Sequence, residues 1–272
     1  MTDAGAEKQA DLWLALVIGN TRLHWAAFKG DALLDTWHTH HLTPQQVAPL
    51  MTDLGCQQRW ISLGAAPQPS QASLAQPPLY VASVVPDQAE LWRAYPHLHT
   101  ITLDQLPLDN LYPTLGIDRT LNLLGAGDRY GWPVMVVDGG TALTFTAGQN
   151  QGLIGGAILP GITLQLRALG EQTAALPQVQ LTSENPPRWA SNTHDAIRSG
   201  VFWGQRAVVL DALMTWWQDY PAGQAVITGG DGLRLYESLS DRPEFANLHP
   251  DPDLVLWGVR AYRRHHLNTT DT

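Results

Sequence analysis

The chain is poor in cysteine and lysine and has no long apolar run. Its single cysteine, Cys56, excludes an intramolecular disulfide and a CxxC metal site. One thiol also fits a reducing compartment, so a cytoplasmic protein is expected. The two lysines, Lys8 and Lys29, stand in no Gly-x-x-x-x-Gly-Lys-Ser/Thr pattern, which excludes a phosphate-cradling P-loop. No run of 18 apolar residues occurs, and "MTDAGAEKQAD" has no basic stretch leading into an apolar one, so neither a membrane segment nor a leader is expected. Basic residues number 16 against 25 acidic ones, a formal net charge of -9. Such a balance argues against a nucleic-acid partner, which needs a basic face, but leaves room for a small phosphorylated ligand. The histidines of "HTHH" (38–41) lack the spaced partners of a zinc site and read as a solvated strand end.

What is present is a repeated pattern. Leu12 to Ile18 is apolar, Gly19-Asn20 makes a turn, Thr21 to Phe28 and Ala32 to Trp37 follow as strands. The same order returns in "VMVVDGGTALTFTAG": Val134 to Asp138, a tight turn, Thr141 to Thr146, then Leu153 to Leu159. Superposing Val17-x-Gly19-Asn20 on Asp138-x-Gly140-Thr141 aligns the two units and suggests a duplicated domain, although two unrelated meanders would also satisfy the pattern. Between them, residues 66–78 read as a Pro/Gln/Ser-rich loop, 79–85 as a strand, 86–97 as a helix and 99–104 as a short strand. Helical spacing recurs over "IDRTLNLLGAGDRYG", stopped by glycines, and over Ser191 to Tyr220, which opens on the cap-like "SNTHD". "AVITGGDG" is a further strand ending in glycines, and a closing helix from 251 ends on basic residues. Alternating strands and helices define an α/β chain.

Two bare glycine hairpins with adjacent hydroxyls (Thr21, Thr141, Thr144) suit phosphate oxygens, because glycine lets the main chain approach closely. A plain hairpin accounts for either one alone. Asp138 at a strand end could hold a cation against those phosphates, and "ITGGD" (227–231) adds a third candidate for nucleotide contact. In "LGIDR", Asp118 and Arg119 open a helix, where a carboxylate is also a good first-turn residue. Functionally, Asp118 would take a proton from a substrate hydroxyl and Arg119 would clamp an anionic group.

The order of motifs "IGNT" (18–21), "GIDR" (116–119), "DGGTA" (138–142), "GGAILPG" (155–161), "NTHDAIRSG" (192–200) and "TGGD" (228–231) resembles the type III pantothenate kinases, over about residues 12 to 265. That resemblance implies membership of the acetate-and-sugar-kinase, Hsp70 and actin superfamily. The fold would be two ribonuclease-H-like halves, 1–115 and 116–272, with a nucleotide cleft between them and the last helix packing back toward the first half. It implies ATP-dependent phosphorylation of the pantothenate 4′-hydroxyl, the first step of coenzyme A synthesis. It also implies ATP with magnesium, a monovalent cation (potassium or ammonium) and a homodimer. Carried over by motif, Asp118 matches the general base, and Tyr112, Gly116, Ile117, Asp118, Arg119 and Thr193 match pantothenate contacts. Val17, Ile18, Gly19, Asn20, Thr21, Arg22, Leu23 and His24 fall at the first phosphate hairpin, Thr141 matches a nucleotide contact and Asp138 the cation-binding aspartate.

Two departures stand out. The family's first motif reads Asp-x-Gly-Asn-Thr, and its leading position here is Val17; Tyr112 also precedes Gly116 by only four residues. Losing a carboxylate beside phosphate-bound magnesium should weaken catalysis unless another group replaces it. A catalytically reduced nucleotide- or metabolite-binding protein on the same fold is therefore the alternative, and a kinase of another small alcohol a third. Trp203, Trp216 and Trp217 on the long helix suit either an interface or, more commonly, a core.

Overall fold

The computed structural model describes residues 12–65, 76–239 and 245–270. The leader reading at the N-terminus and most of the loop reading at 66–78 therefore lie outside the described residues. The chain forms two compact units. Unit 1 comprises the residues up to Pro107, Tyr112–Gly125 and those from Val255 on; unit 2 comprises Leu108–Leu111 and Ala126–Leu254.

Unit 1 opens with β1 (Leu12–Ile18), β2 (Leu23–Lys29) and β3 (Ala32–Thr39), an antiparallel meander. The short helices α1 (Pro44–Thr52) and α2 (Gln57–Ile61) follow, then β4 (Leu79–Ser83), α3 (Pro86–Glu90) and β5 (Leu98–Thr100). Strands β4 and β5 add in parallel beside β1, so the sheet order is β3-β2-β1-β4-β5. Central β1 is buried along nearly its whole length, which is why it reads as a continuous apolar run rather than an alternation. One sheet face carries Leu14, Leu16, Trp25 and Trp37 into a core closed by Trp60 of α2 and by Trp92. Trp25 meets Trp37 in a stack, with Trp60 and Trp92 edge-on at 4.9 and 5.2 Å. Such pairs each add about 0.5–1.5 kcal/mol beyond area burial.

Helix α4 (Ile117–Tyr130) runs through Gly125 and Gly127 and ends just before Gly131, whose φ is +87°. Unit 2 then repeats the scheme. An antiparallel meander β6 (Val134–Gly139), β7 (Ala142–Gln149) and β8 (Gly152–Pro160) leads into α5 (Ile162–Gln172) and the long α6 (Thr193–Asp219). Next come β9 (Gln224–Thr228), α7 (Gly232–Glu237) and β10 (Leu248–Pro250). Strands β9 and β10 add in parallel beside β6, and the order β8-β7-β6-β9-β10 reproduces that of unit 1. The duplication read from the sequence is therefore real.

Asn192 caps α6 as expected: its side chain accepts the Asp195 N–H at 3.0 Å. Trp216 and Trp217 pack into the unit 2 core, with indole N–H groups on Gln224 and Gly223 carbonyls, and Trp203 lies against the core below α5. The long-helix tryptophans are thus core residues. The closing helix α8 (Leu254–Thr270) belongs with unit 1 from Val255 on: Trp257 meets Phe28 edge-on and the Arg263 guanidinium lies 4.9 Å over the Trp13 ring. Its basic residues stop short of its last turn, because the helix runs past them to Thr270.

Three other boundaries shift. The helix expected over 86–97 is helical only to Glu90 and continues as turns. The strand expected over 79–85 stops at Ser83, where its hydroxyl accepts the Val85 N–H at 3.0 Å and turns the chain into α3. The strand expected over 99–104 pairs only through Thr100, then gives way to a 3₁₀ turn at Leu103–Gln105, where Thr102 and Gln105 cap each other.

Candidate functional site

In unit 1 the hairpin between β1 and β2 is closed by the Gly19 N–H donating to the Arg22 carbonyl at 3.0 Å. Asn20, Thr21 and Arg22 are exposed, so their main chain and side chains are open to a ligand. Ile18 and Leu23 are sealed in the core, and what they present is main chain only. Val17, 2 % exposed, pairs across the strands with His24 on β2 and Ala82 on β4. The Gly19 carbonyl lies 2.8 Å from the His41 Nε2. Of the "HTHH" residues, His38 and His40 are solvated as expected, whereas His41 turns toward this hairpin. Among the described residues no group of three or more His, Cys, Asp or Glu is placed to hold a metal.

The second part of unit 1 is the start of α4. Asp118 stands half-buried in the first turn, where its Oδ1 accepts the Arg119 N–H at 2.8 Å. A side chain on Gly116 would meet that same Oδ1 at 2.5 Å, so glycine there leaves the carboxylate its place. The Thr120 hydroxyl donates back to the Gly116 carbonyl at 3.0 Å, locking the turn. Arg119 is buried to 8 % exposure, and its Nη1 donates to the Tyr112 hydroxyl at 3.2 Å. The short spacing between Tyr112 and Gly116 therefore still brings the phenol to the guanidinium. Ile117, buried, lines a cavity of about 300 Å³ with Val81, Pro86, Ala89 and Leu98. Tyr112, Gly116, Asp118 and Arg119 thus form one local cluster.

In unit 2 the hairpin between β6 and β7 repeats the first: the Gly140 N–H donates to the Ala142 carbonyl at 3.1 Å. Asp138 occupies the position on β6 that Val17 occupies on β1. It pairs with Thr144 on β7 and with Thr228 on β9, so two buried hydroxyl residues flank a carboxylate. Close packing behind this corner was not visible in the sequence. Gly229 has φ +88°, and a Cβ there would stand 2.3 Å from the Asp138 Oδ1 and 2.7 Å from the Gly139 carbonyl carbon. Gly161 donates its N–H to the Thr141 carbonyl at 3.0 Å, and its own Cβ would collide with the Gly140 and Thr141 oxygens. Thr141 is exposed at the turn, and Thr193 is exposed at the start of α6. Asp231, beyond the third glycine strand end, donates its N–H to the Gly139 carbonyl at 2.8 Å. Burial raises its carboxyl above the ordinary value, with Arg234 opposing.

Sheets of the same order, each bearing a glycine hairpin at the same corner, with a carboxylate at the hairpin strand end in unit 2 and valine in its place in unit 1, define a duplicated α/β protein built of two matching units. Solved structures agree on the fold. A Baf-family protein from Campylobacter jejuni superposes with TM-score 0.60 at 20% identity, covering 94% of this chain and 99% of that one. The activator of 2-hydroxyisocaproyl-CoA dehydratase from Clostridium difficile superposes with TM-score 0.52 at 11% identity, covering 96% and 98%. The family model for type III pantothenate kinase matches residues 13–214. The type III pantothenate kinase of a Nostoc species is 45% identical over 259 residues, 92% of this chain and 93% of the relative. That of Gloeobacter violaceus is 41% identical, covering 91% and 96%. The chain belongs to the type III pantothenate kinase family and is a kinase of coenzyme A biosynthesis.

Proposed function

We propose that the γ-phosphoryl group of ATP passes to the pantothenate 4′-hydroxyl with Asp118 as the group that takes the hydroxyl proton. The observation that carries this is the Tyr112–Arg119–Asp118 cluster: a half-buried carboxylate in a first helical turn, beside a buried guanidinium held by a phenol. Arg119, always charged and pinned by Tyr112, suits the carboxylate of pantothenate, and Gly116 leaves the Asp118 carboxylate its place beside it. Proton removal and alignment are most of what a protein need do in phosphoryl transfer, since the transition state is loose. Thr193, opening α6, is assigned to pantothenate by the motif it shares with the family.

The Gly19–His24 hairpin and Thr141 are assigned to the nucleotide; the exposed Asn20, Thr21 and Arg22 of that hairpin and the exposed Thr141 suit phosphate oxygens. Magnesium, when bound, neutralises phosphate charge. The described residues offer it no three-ligand acidic or imidazole set, which fits arrival as the nucleotide complex. Asp138, flanked by Thr144 and Thr228, suits a monovalent cation with oxygen ligands such as potassium or ammonium. A homodimer is supported by the exposed Ile154 and Ile158 on edge strand β8, the latter 64% accessible. A cytoplasmic setting is supported by the single thiol, and the acidic net charge supports small-molecule rather than nucleic-acid partners. None of the described helices is long and apolar enough to cross a membrane.

Coupled ADP release with pantothenate, ATP, magnesium and potassium tests the reading. Turnover dependent on pantothenate upholds it. Folded protein that binds ATP without turnover would favour the reduced binding protein, the reading to which Val17 points.

A further inference from the structure

Unit 1 lacks a carboxylate at the position where unit 2 has Asp138, yet the same spot is not apolar on both strands. In unit 2 the acid stands on the first strand of the hairpin, with Thr144 opposite it on the second. In unit 1 the first strand offers Val17 and the second offers His24 opposite it. Directly opposed residues of an antiparallel pair project from the same sheet face with their Cβ atoms about 5 Å apart. Whatever a carboxylate at position 17 would reach, an imidazole at position 24 reaches from the neighbouring strand. The parallel neighbour on the other side, Ala82, brings no polar group.

The ring is aimed at the hairpin. Its Nε2 lies 3.9 Å from where a Cβ on Gly19 would stand, over the bare main-chain corner itself. Among the described residues its contacts are an edge-on ring contact with His38 at 4.8 Å and the charge of Arg22, and it makes no hydrogen bond. Burial, with His38 and Arg22, pushes the imidazole down to about 4. At neutral pH it therefore carries one N–H donor and one lone pair. Imidazole is a poor magnesium ligand, so a neutral ring here acts by hydrogen bonding.

We propose that His24 takes the place left by Val17, donating a hydrogen bond from its imidazole to a phosphate oxygen of the nucleotide at the Gly19 hairpin. The proposal rests on the assignment of that hairpin to ATP. It makes the departure at Val17 an exchange across the strand pair rather than a loss of function.

Calorimetric titration of ATP and of adenosine, with magnesium throughout, into the wild type, His24→Ala and His24→Asn tests this. The expected result is about 10-fold weaker ATP binding in His24→Ala, unchanged adenosine binding, and most of the ATP affinity retained in His24→Asn. The double variant Val17→Asp with His24→Ala should regain ADP release lost in His24→Ala; if it does not fold, the Ala and Asn pair decides. Equal ATP affinity in the wild type and His24→Ala overturns the proposal, as does a parallel loss of ATP and adenosine, which marks a packing role. A wild type that binds ATP without pantothenate-dependent turnover removes the kinase reading, while the ATP-to-adenosine ratio still judges His24. A wild type that binds no ATP removes both.

Discussion

The two hairpins share their place in the sheet and differ in turn length and in the side chains at their base. Each sits between the first two strands of a sheet of the same order, and each is closed by a glycine N–H on a carbonyl two or three residues ahead, at 3.0 Å in unit 1 and 3.1 Å in unit 2. Unit 2 places a carboxylate between two threonines and presses glycines against it. Unit 1 places valine there, an imidazole across from it, and moves its acid to the start of α4. Sheet order and the placing of the hairpin within it survive duplication, whereas charge is carried by single side chains and can move between strands.

If the two carboxylates divide the work in this way, Asp118→Asn should lower turnover by about 10²–10⁴-fold with ATP affinity unchanged, since Asn keeps the acceptor for the Arg119 N–H but loses the base. Near-normal ADP release in that variant would take the proton-transfer role away from unit 1. A pH difference should follow at the hairpins. His24 has its folded pKa lowered from 6.5 to about 4, so it contributes stability that is present above pH 6.5 and lost as pH falls toward 4, at most about 3 kcal/mol. Denaturant unfolding across that window should show the wild type losing stability that His24→Asn does not lose; matched curves would break the contrast between the imidazole and carboxylate corners.

Gly229→Ala should cost unit 2 about 1–3 kcal/mol, because φ is +88° and the new methyl meets Asp138 and Gly139. Gly230→Ala, with open space around it, should stay within about 0.5 kcal/mol, and equal midpoints for the two would refute the close packing. The smallest effect expected is from Tyr112→Phe, which removes one hydrogen bond to Arg119: the KM for pantothenate should rise by about 2–10-fold with kcat nearly unchanged.

The repeated meanders were legible because the first strand of each is an apolar run ended by glycine, a pattern that turn chemistry favours. Helices α4 and α6 were legible from spacing and from the Asn192 cap. Others were not: α1, α2, α5 and α7 and the short β10 are stretches whose periodicity is too brief to separate from loops. At the candidate site the sequence could name Asp118, Arg119 and Asp138 by residue type. It could not join Tyr112 to Arg119, a contact that depends on how the loop before α4 folds, nor reveal that Gly161 and Gly229 are pressed against the Asp138 corner, contacts that lie far apart along the chain.

Local order in this chain, strand by strand and cap by cap, follows from nearest neighbours and needed only the residues in line. Which side chains share a sheet face was decided by strand register, which in a hairpin changes with a single residue more or less in the turn and is therefore fixed only in the folded chain. For that reason Val17 reads as a missing acid in the sequence and as the partner of His24 in the folded protein.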